Sequence, residues 1–379
     1  FGHIDAALTL PDGKRYMIGT QTVDILWIYN KDIFAKAGVQ PPKNWDEFAE
    51  VCRKIKAAGF TPIGINFTHQ LPQWVSQAYW QQYNQPAKEI AKAVQGDWNY
   101  DPKEKYTWNV ARFYRGIRDG KIRFDTPEMV EYITNFKKVF PQYATEDLYV
   151  ITDPYPLFLQ QKVAMIVDTT GAFPRLKFDM ANLSNKARLQ ELKIDASAQL
   201  AGFAWGAFNH PPMTGGLVNA PNKVFESITG EYIAAVDKNQ KQTDMVVDFI
   251  RFWISKPGYD AWIAGYESGE RGWQPGGPVI VKGVTLPKAF QELFSSLDLT
   301  RGGDPMNTAD RLLTTVVGGG AGVQTQAYEL FRKALQSEIT PKQFADGFQA
   351  LVTANFDKIV KAINLPPALI DHPERSPTE

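Results

Sequence analysis

One cysteine, Cys52, and four histidines, His3, His69, His210 and His372, are all that 379 residues offer of the softer metal ligands. A lone thiol excludes an intramolecular disulfide and a cysteine-built zinc site. Histidines so scattered predict no metal centre, and nothing in the sequence calls for a cofactor. No apolar run approaches the ~20 residues of a membrane-spanning helix, and the opening residues lack the basic-then-apolar order of a secretion signal. Net charge is missing as well. Lys+Arg and Asp+Glu both total 41, which argues against a nucleic acid or an anionic membrane as partner, since either favours a basic face.

Catalytic signatures are equally scarce. There is no H-E-x-x-H, no G-x-S-x-G, no Walker lysine and no G-x-G-x-x-G after a strand. The glycine-rich run at 318–322 lacks the Lys-Ser/Thr that a phosphate loop needs, so it reads as a flexible connection. Carboxylates are plentiful, and a glycosidase pair need only meet in space. A carbohydrate-active enzyme therefore stays as the alternative from another class.

What is present is apolar and aromatic. At 44% hydrophobic content, a chain of this length buries a large core and suggests two domains or more. Its 10 Trp, 15 Tyr and 23 Phe serve mostly as core, though flat rings also suit carbohydrate faces.

The densest information lies in residues 20–59. Residues 24–29 form an apolar, β-branched run that reads as a largely buried strand. Asn30 stops it, a short helical stretch closes at Gly38, and Pro41-Pro42 forces an extended link. Asn44 as N-cap with Glu47 three residues on predicts a capped helix, with Phe48, Val51, Cys52 and Ile55 on its apolar face. Cys52 there reads as an inert buried thiol.

Residues 11–18 predict a turn and hairpin. Residues 61–66 predict a short buried strand, and so a strand–helix–strand unit of parallel α/β architecture. Residues 69–74 read as a loop opening a helix through Tyr83. Thr126-Pro127 caps a helix through Ile133, Phe136 and Val139. Residues 158–168 read as a helix end followed by a strand, 178–199 as a helical insertion, and 243–255 as a helix. Thr340, Pro341 and Gln343 open one helix whose stripe is Phe344, Phe348, Leu351, Phe356 and Ile359. The proline-rich tail after Pro366 reads as frayed.

Tyr29-Asn30-Lys31-Asp32-Ile33-Phe34, Ala37-Gly38-Val39, Pro41-Pro42, Asn44-Trp45-Asp46-Glu47-Phe48 and Lys56-Ala57-Ala58-Gly59 resemble the signature of extracellular solute-binding proteins. These are the receptors of ABC importers, in the maltose-binding-protein-like family. Weaker matches follow at 158–168, where Gln161 stands at the family's usual glycine and Thr170, Gly171 and Phe173 lie near its usual tryptophan. Others follow at 203–212, 229–234 and 257–262, and the resemblance spans roughly 15–363.

It implies an α/β, two-lobe periplasmic-binding-protein-like fold with the ligand cleft between lobes. The first lobe would be 1–29 and 229–310, and the second 30–228 and 311–379. The family usually carries further residues ahead of this signature, so the expectation is a first lobe incomplete at its N-terminus and completed by a companion N-terminal fragment. The implied function is an extracytoplasmic receptor, periplasmic or a cell-surface lipoprotein. It would bind a mono- or oligosaccharide and deliver it to ABC importer permease subunits, without catalysis. The alternative ligands on the same fold are a polyol, an amino-sugar or a peptide-like solute.

Ligands of α/β lobes gather outside the carboxyl ends of strands, and two facing lobes close by hinge motion. The candidate ligand-binding residues are accordingly loop-end groups. They are Thr22 and Asp24 ahead of the first strand; His69, Gln70 and Trp74; Asp168, Thr169 and Thr170; Gly230, Glu231 and Tyr232; Arg271 and Trp273; and Tyr328 on a late helix. Helix capping and structural turns are the plain alternatives for each. The acidic members outnumber Arg271, so the expected ligand is neutral and polar, held between Trp74 and Trp273. The hinge is expected at Asn30 and at Thr229-Gly230.

Overall fold

Strand β1 (Gln21–Asn30) runs through the middle of the sheet, and the computed structural model builds the rest around it. The structure describes residues 19–100, 102, 108–223, 225–229, 239–268, 277, 279, 281, 283–295, 297, 308–319 and 322–376. The predicted hairpin at 11–18 lies outside them.

With β2 (Thr61–Gly64), β3 (Val163–Thr169), β4 (Trp205–Phe208) and β5 (Phe225–Thr229), β1 forms a five-stranded sheet of order β2-β3-β1-β4. β5 pairs the N-terminal half of β1, from Gln21↔Thr229 to Ile25↔Phe225. Ile25 also faces Thr169 of β3, so β5 occupies the edge opposite β3, end to end with β4.

β1 is antiparallel to β3, β4 and β5, and β2 is parallel only to β3. This corrects the parallel strand–helix–strand unit expected from residues 24–66. A strand from a hundred residues downstream inserts between the two, and local sequence carries no sign of it.

The alternation of β1 divides the core. Ile25 and Trp27 pack into one cluster with Phe48, Tyr79, Phe136 and Phe331, whereas Leu26 and Ile28 pack into a second with Phe158, Phe173 and Leu189. Helices therefore cover both faces, giving α/β/α layers. The Trp45–Ala57, Pro127–Phe136, Gly322–Leu335 and Pro341–Ala354 helices lie on the first face. The Tyr155–Leu159, Ala172–Ala181 and Lys186–Glu191 helices lie on the second.

Helix starts follow the sequence closely. Asn30 accepts from the backbone N–H of Asp32 and Ile33 as it ends β1 and begins the Lys31–Lys36 helix. Asn44 accepts from Glu47 N at 2.9 Å, while the Glu47 carboxylate reaches past it to Lys43 N at 2.8 Å. Thr126 caps Pro127–Phe136, and Val139 packs beyond that helix's end. Cys52 is free and buried, and burial pushes its thiol pKa up.

At the C-terminus Thr340 and Gln343 form a reciprocal capping box. Thr340→Ala is expected to cost about 1 kcal/mol, read as a lower urea midpoint at unchanged slope. The stripe beyond is not one helix: it breaks at Asn355, and a second helix, Phe356–Ala362, follows.

The tail is docked rather than frayed. Pro367–Asp371 is helical with Leu369 and Ile370 buried. Asn109 Nδ2 donates to Pro373 O at 2.6 Å, and Arg118 pairs with Asp371 at 2.8 Å. The expected 243–255 helix runs Gln240–Trp253.

Candidate functional site

β2 and β3 are parallel, and their carboxyl ends open on the same side of the sheet. After β2, Asn66 organises the backbone. Its Oδ1 accepts from His69 N at 3.0 Å and Gln70 N at 3.1 Å, and its Nδ2 donates to Thr152 O at 3.0 Å. The chain then winds into a wide π-type turn, Gln70–Val75, in place of the expected loop. Leu71 N donates to Asn66 O and Trp74 N to His69 O, each five residues back. Such turns recur at functional sites because they re-aim side chains that a regular helix would bury. Here the turn, with the Ser76–Trp80 helix that continues it, brings Gln73, Trp74 and Gln77 to one wall of a cavity.

That cavity measures about 530 Å³. Val23 and Ile25 of β1 and Thr169 at the end of β3 form its base; Arg311, Thr314, Thr315, Gly319 and Gln324 form the wall facing Trp74. Arg311 follows the short 3₁₀ turn Thr308–Asp310, which does not itself line the cavity. The rest of this wall comes from the 3₁₀ turn Thr315–Val317 with the residue before it, and from the start of the Gly322–Leu335 helix. Gly318 between them has φ +76°, a left-handed conformation in which glycine avoids Cβ strain. Arg311 is the one formally charged side chain among the described lining residues.

Of the residues singled out in the sequence, Trp74 and Thr169 line this cavity. His69 packs edge-on against Trp74, ring centroids 4.9 Å apart, and its half-burial lowers its pKa. Tyr328 accepts from Gln324 Nε2 at 3.0 Å and so braces a lining residue from behind.

Gln70 turns inward: its amide accepts from Asn66 N at 3.0 Å and donates to Val167 O at 2.9 Å, a structural tie between the π turn and β3. Thr170 is buried, its Oγ1 accepting from Asp24 N at 3.2 Å and its N–H donating to Asp24 O.

Parity removes Thr22, Asp24 and Asp168 from the lining. Thr22 and Asp24 lie within β1 rather than ahead of it, and Asp168 lies within β3. Successive strand residues face opposite sides, so Val23, Ile25 and Thr169 share the cavity face. Asp168, opposite Leu26 in the register, shares the other. Burial raises the Asp168 carboxyl to about 6, against the lowering effect of Thr169 N–H. Gly230, Glu231, Tyr232, Arg271 and Trp273 lie outside the described residues, as does the expected return strand beyond Thr229.

Sequence reasoning missed Gln73, Gln77, Arg311 and Gln324. The first two needed the π turn, which has no sequence signature. Arg311 lies between two short 3₁₀ turns without periodicity. Among the described residues no group of His, Cys, Asp or Glu could hold a metal ion.

A curated sn-glycerol-3-phosphate-binding periplasmic protein, UgpB of Brucella abortus (strain 2308), is 40% identical over 68 residues. That match covers 17% of this chain and only 16% of the relative's length.

Among solved structures, RafE in complex with raffinose aligns over 92% of this chain and 74% of its own, at 16% identity and TM-score 0.53. The ABC substrate-binding protein Lmo0181 of Listeria monocytogenes in complex with cycloalternan aligns over 94% and 73%, at 15% identity and TM-score 0.52. These likenesses show the α/β fold of two-lobe solute-binding proteins. The model of the family described as bacterial extracellular solute-binding protein matches residues 3–269. The chain belongs to that family of bacterial extracellular solute-binding proteins.

Proposed function

We propose that the cavity at the carboxyl ends of β2 and β3 is the ligand site of an ABC-importer receptor, and that the ligand is a carbohydrate. The observation that carries this reading is the lining itself. One indole, Trp74, stands among Gln73, Gln77, Thr169, Thr314, Thr315, Gln324 and Arg311. A sugar presents an apolar C–H face and a rim of hydroxyls, so an aromatic platform ringed by amides and hydroxyls is its complement. The solved relatives are bound to raffinose and to cycloalternan, which supports the same ligand class.

Arg311 favours a second reading, an anionic polyol, in line with the glycerol-phosphate-binding relative. Asp24 and Asp168 do not contact the ligand in this reading, because both side chains alternate to the face opposite the cavity.

The receptor acts by binding alone in this reading, outside the cytoplasm, with the importer's permease as its partner. We further propose that the lobes divide near Asn30 and Thr229. Asn30 and Thr229 lie at opposite ends of β1, which passes from β5 pairing to β4 pairing at Leu26. The crossing is therefore drawn along this strand, and closure over the ligand follows from contacts made by both lobes.

Calorimetric titration with raffinose and with sn-glycerol-3-phosphate tests the reading. Saturable heat with one of them, and no new product by chromatography, is the expected result; turnover would favour the enzyme alternative. Trp74→Ala should weaken the binding by ~1–3 kcal/mol, the scale of one buried aromatic, and unchanged affinity would remove Trp74 from the site.

A further inference from the structure

One and two residues before Arg311, at Asp310 and Ala309, the chain is gripped by side chains from an earlier stretch. Lys88 of the Gln85–Ala91 helix pairs with Asp310 Oδ1 at 2.9 Å, and both side chains are over nine-tenths buried. Lys88 Nζ also donates to Gln81 O at 2.9 Å. Asn84 Nδ2 donates to Ala309 O at 2.6 Å and to Asp310 Oδ1 at 2.9 Å, and Trp80 Nε1 donates to Ala309 O at 3.1 Å. Beyond Arg311, Tyr114 OH donates to Thr315 O at 2.7 Å. Between these grips the turn closes on itself: Thr314 N and Val316 N both donate to Arg311 O, at 3.2 and 3.1 Å.

We propose that the buried Lys88–Asp310 pair is a positioning device for the Arg311 wall, so that Lys88, Asn84 and Asp310 govern ligand recognition without touching the ligand. The proposal rests on the reading of the cavity as the ligand site. A buried ion pair contributes little net stability compared with apolar residues of the same volume, because desolvation offsets the attraction. What it does supply is a fixed geometry. Asp310 and Arg311 are consecutive, so the anchored carboxylate and the guanidinium share one peptide frame, and a shift of the first is passed to the second. Binding groups must be held to within about 0.5 Å to be effective. The three side chains that hold Ala309 and Asp310, Trp80, Asn84 and Lys88, come from the stretch directly after Gln73, Trp74 and Gln77. Both walls of the cavity are thereby registered to one continuous stretch of chain, from Gln73 to Lys88.

The test reads Arg311 directly. In the full-length protein, the Arg311 Nε–Hε signal is assigned in a nitrogen-15 spectrum by its loss in Arg311→Gln. Lys88→Met should move or broaden that signal and weaken raffinose or sn-glycerol-3-phosphate, whichever binds, by tenfold or more. Lys88→Arg should restore both, and Glu89→Gln on the exposed side of the same helix should change neither. In an Arg311→Gln background, Lys88→Met should add no further loss, the coupling expected of a residue that acts through another.

An Arg311 signal unchanged in folded Lys88→Met, or affinity losses that multiply in the double variant, would overturn the proposal. Should Lys88→Met fail to fold, Asp310→Asn, which keeps the shape of the side chain, answers the same question. If the wild type binds neither probe, the ligand assignment fails separately, and the Arg311 signal still decides whether the pair sets the wall.

Discussion

Replacing Trp45 by alanine is expected to remove about 3–5 kcal/mol of stability, the upper range for a large aromatic deleted from a core. Trp45 is fully buried, with ring centroids 4.4 Å from Tyr79, 5.3 Å from Phe48 and 5.8 Å from Phe136. Its Nε1 donates to Asn135 O at 2.7 Å, and its backbone N–H donates to Pro212 O. Truncation would leave a cavity that three rigid rings cannot refill, and it would strip a buried carbonyl of its donor.

The damage reaches function because Tyr79 belongs to the helix that continues the π turn of Trp74 and Gln77. Urea unfolding measures the effect. A loss below about 1 kcal/mol, far under the range for such deletions, would mean that the cluster relaxes freely and that the packing described here is not what holds it.

Acid should act through His210. Trp27 Nε1 donates to His210 Nδ1 at 2.9 Å, with Tyr79 OH 3.4 Å from the same nitrogen, so Nδ1 is the acceptor and the proton sits on Nε2. Protonating Nδ1 would set donor against donor inside the core, and among the described residues Nε2 has no hydrogen-bond partner to offset it. Burial accordingly lowers this pKa from 6.5 to about 3.

Between those values the unfolded chain binds a proton that the native state refuses. Stability is therefore whole above the unfolded pKa and falls as pH drops below it. The linkage amounts to about 3 kcal/mol between pH 7 and pH 4. Carboxylate titration adds its own slope, so the informative quantity is the difference from His210→Gln, which keeps an acceptor for Trp27 but does not titrate. The wild type should lose about 3 kcal/mol more than this variant over that interval. Parallel pH profiles would show that His210 protonates in place.

The legible parts of this molecule were those where neighbouring residues dictate each other. β1 was readable because five consecutive apolar residues, Ile25 to Tyr29, bounded by turn-forming polar ones read as a buried strand. The helix starts were readable because Asn44, Thr126 and Thr340 each carry their hydrogen-bond partners within three residues. The family signature was readable because it lies in that same stretch.

The partnership of β1 was not, since β3 arrives from far along the chain and reverses the expected direction. Asp24 and Asp168 were plausible as loop-end ligands, but their side depends on register, and one residue of parity moves a carboxylate from the cavity face to the opposite one. Arg311 was invisible for a different reason: it stands in irregular chain, and the residues on either side of it are held by Trp80, Asn84, Lys88 and Tyr114, far earlier in the sequence. The docked tail belongs with it, because its anchors are Asn109 and Arg118.

The central claim is that the Trp74 cavity holds the solute. A thermal-shift screen of the wild type and Trp74→Ala side by side, over neutral oligosaccharides and polyol phosphates, tests it most directly, since a ligand that binds only the native state must raise its melting temperature. At least one compound is predicted to raise it in the wild type and to lose most of that effect in Trp74→Ala. A compound that stabilises both proteins equally, or a panel in which none stabilises the wild type, would contradict the account.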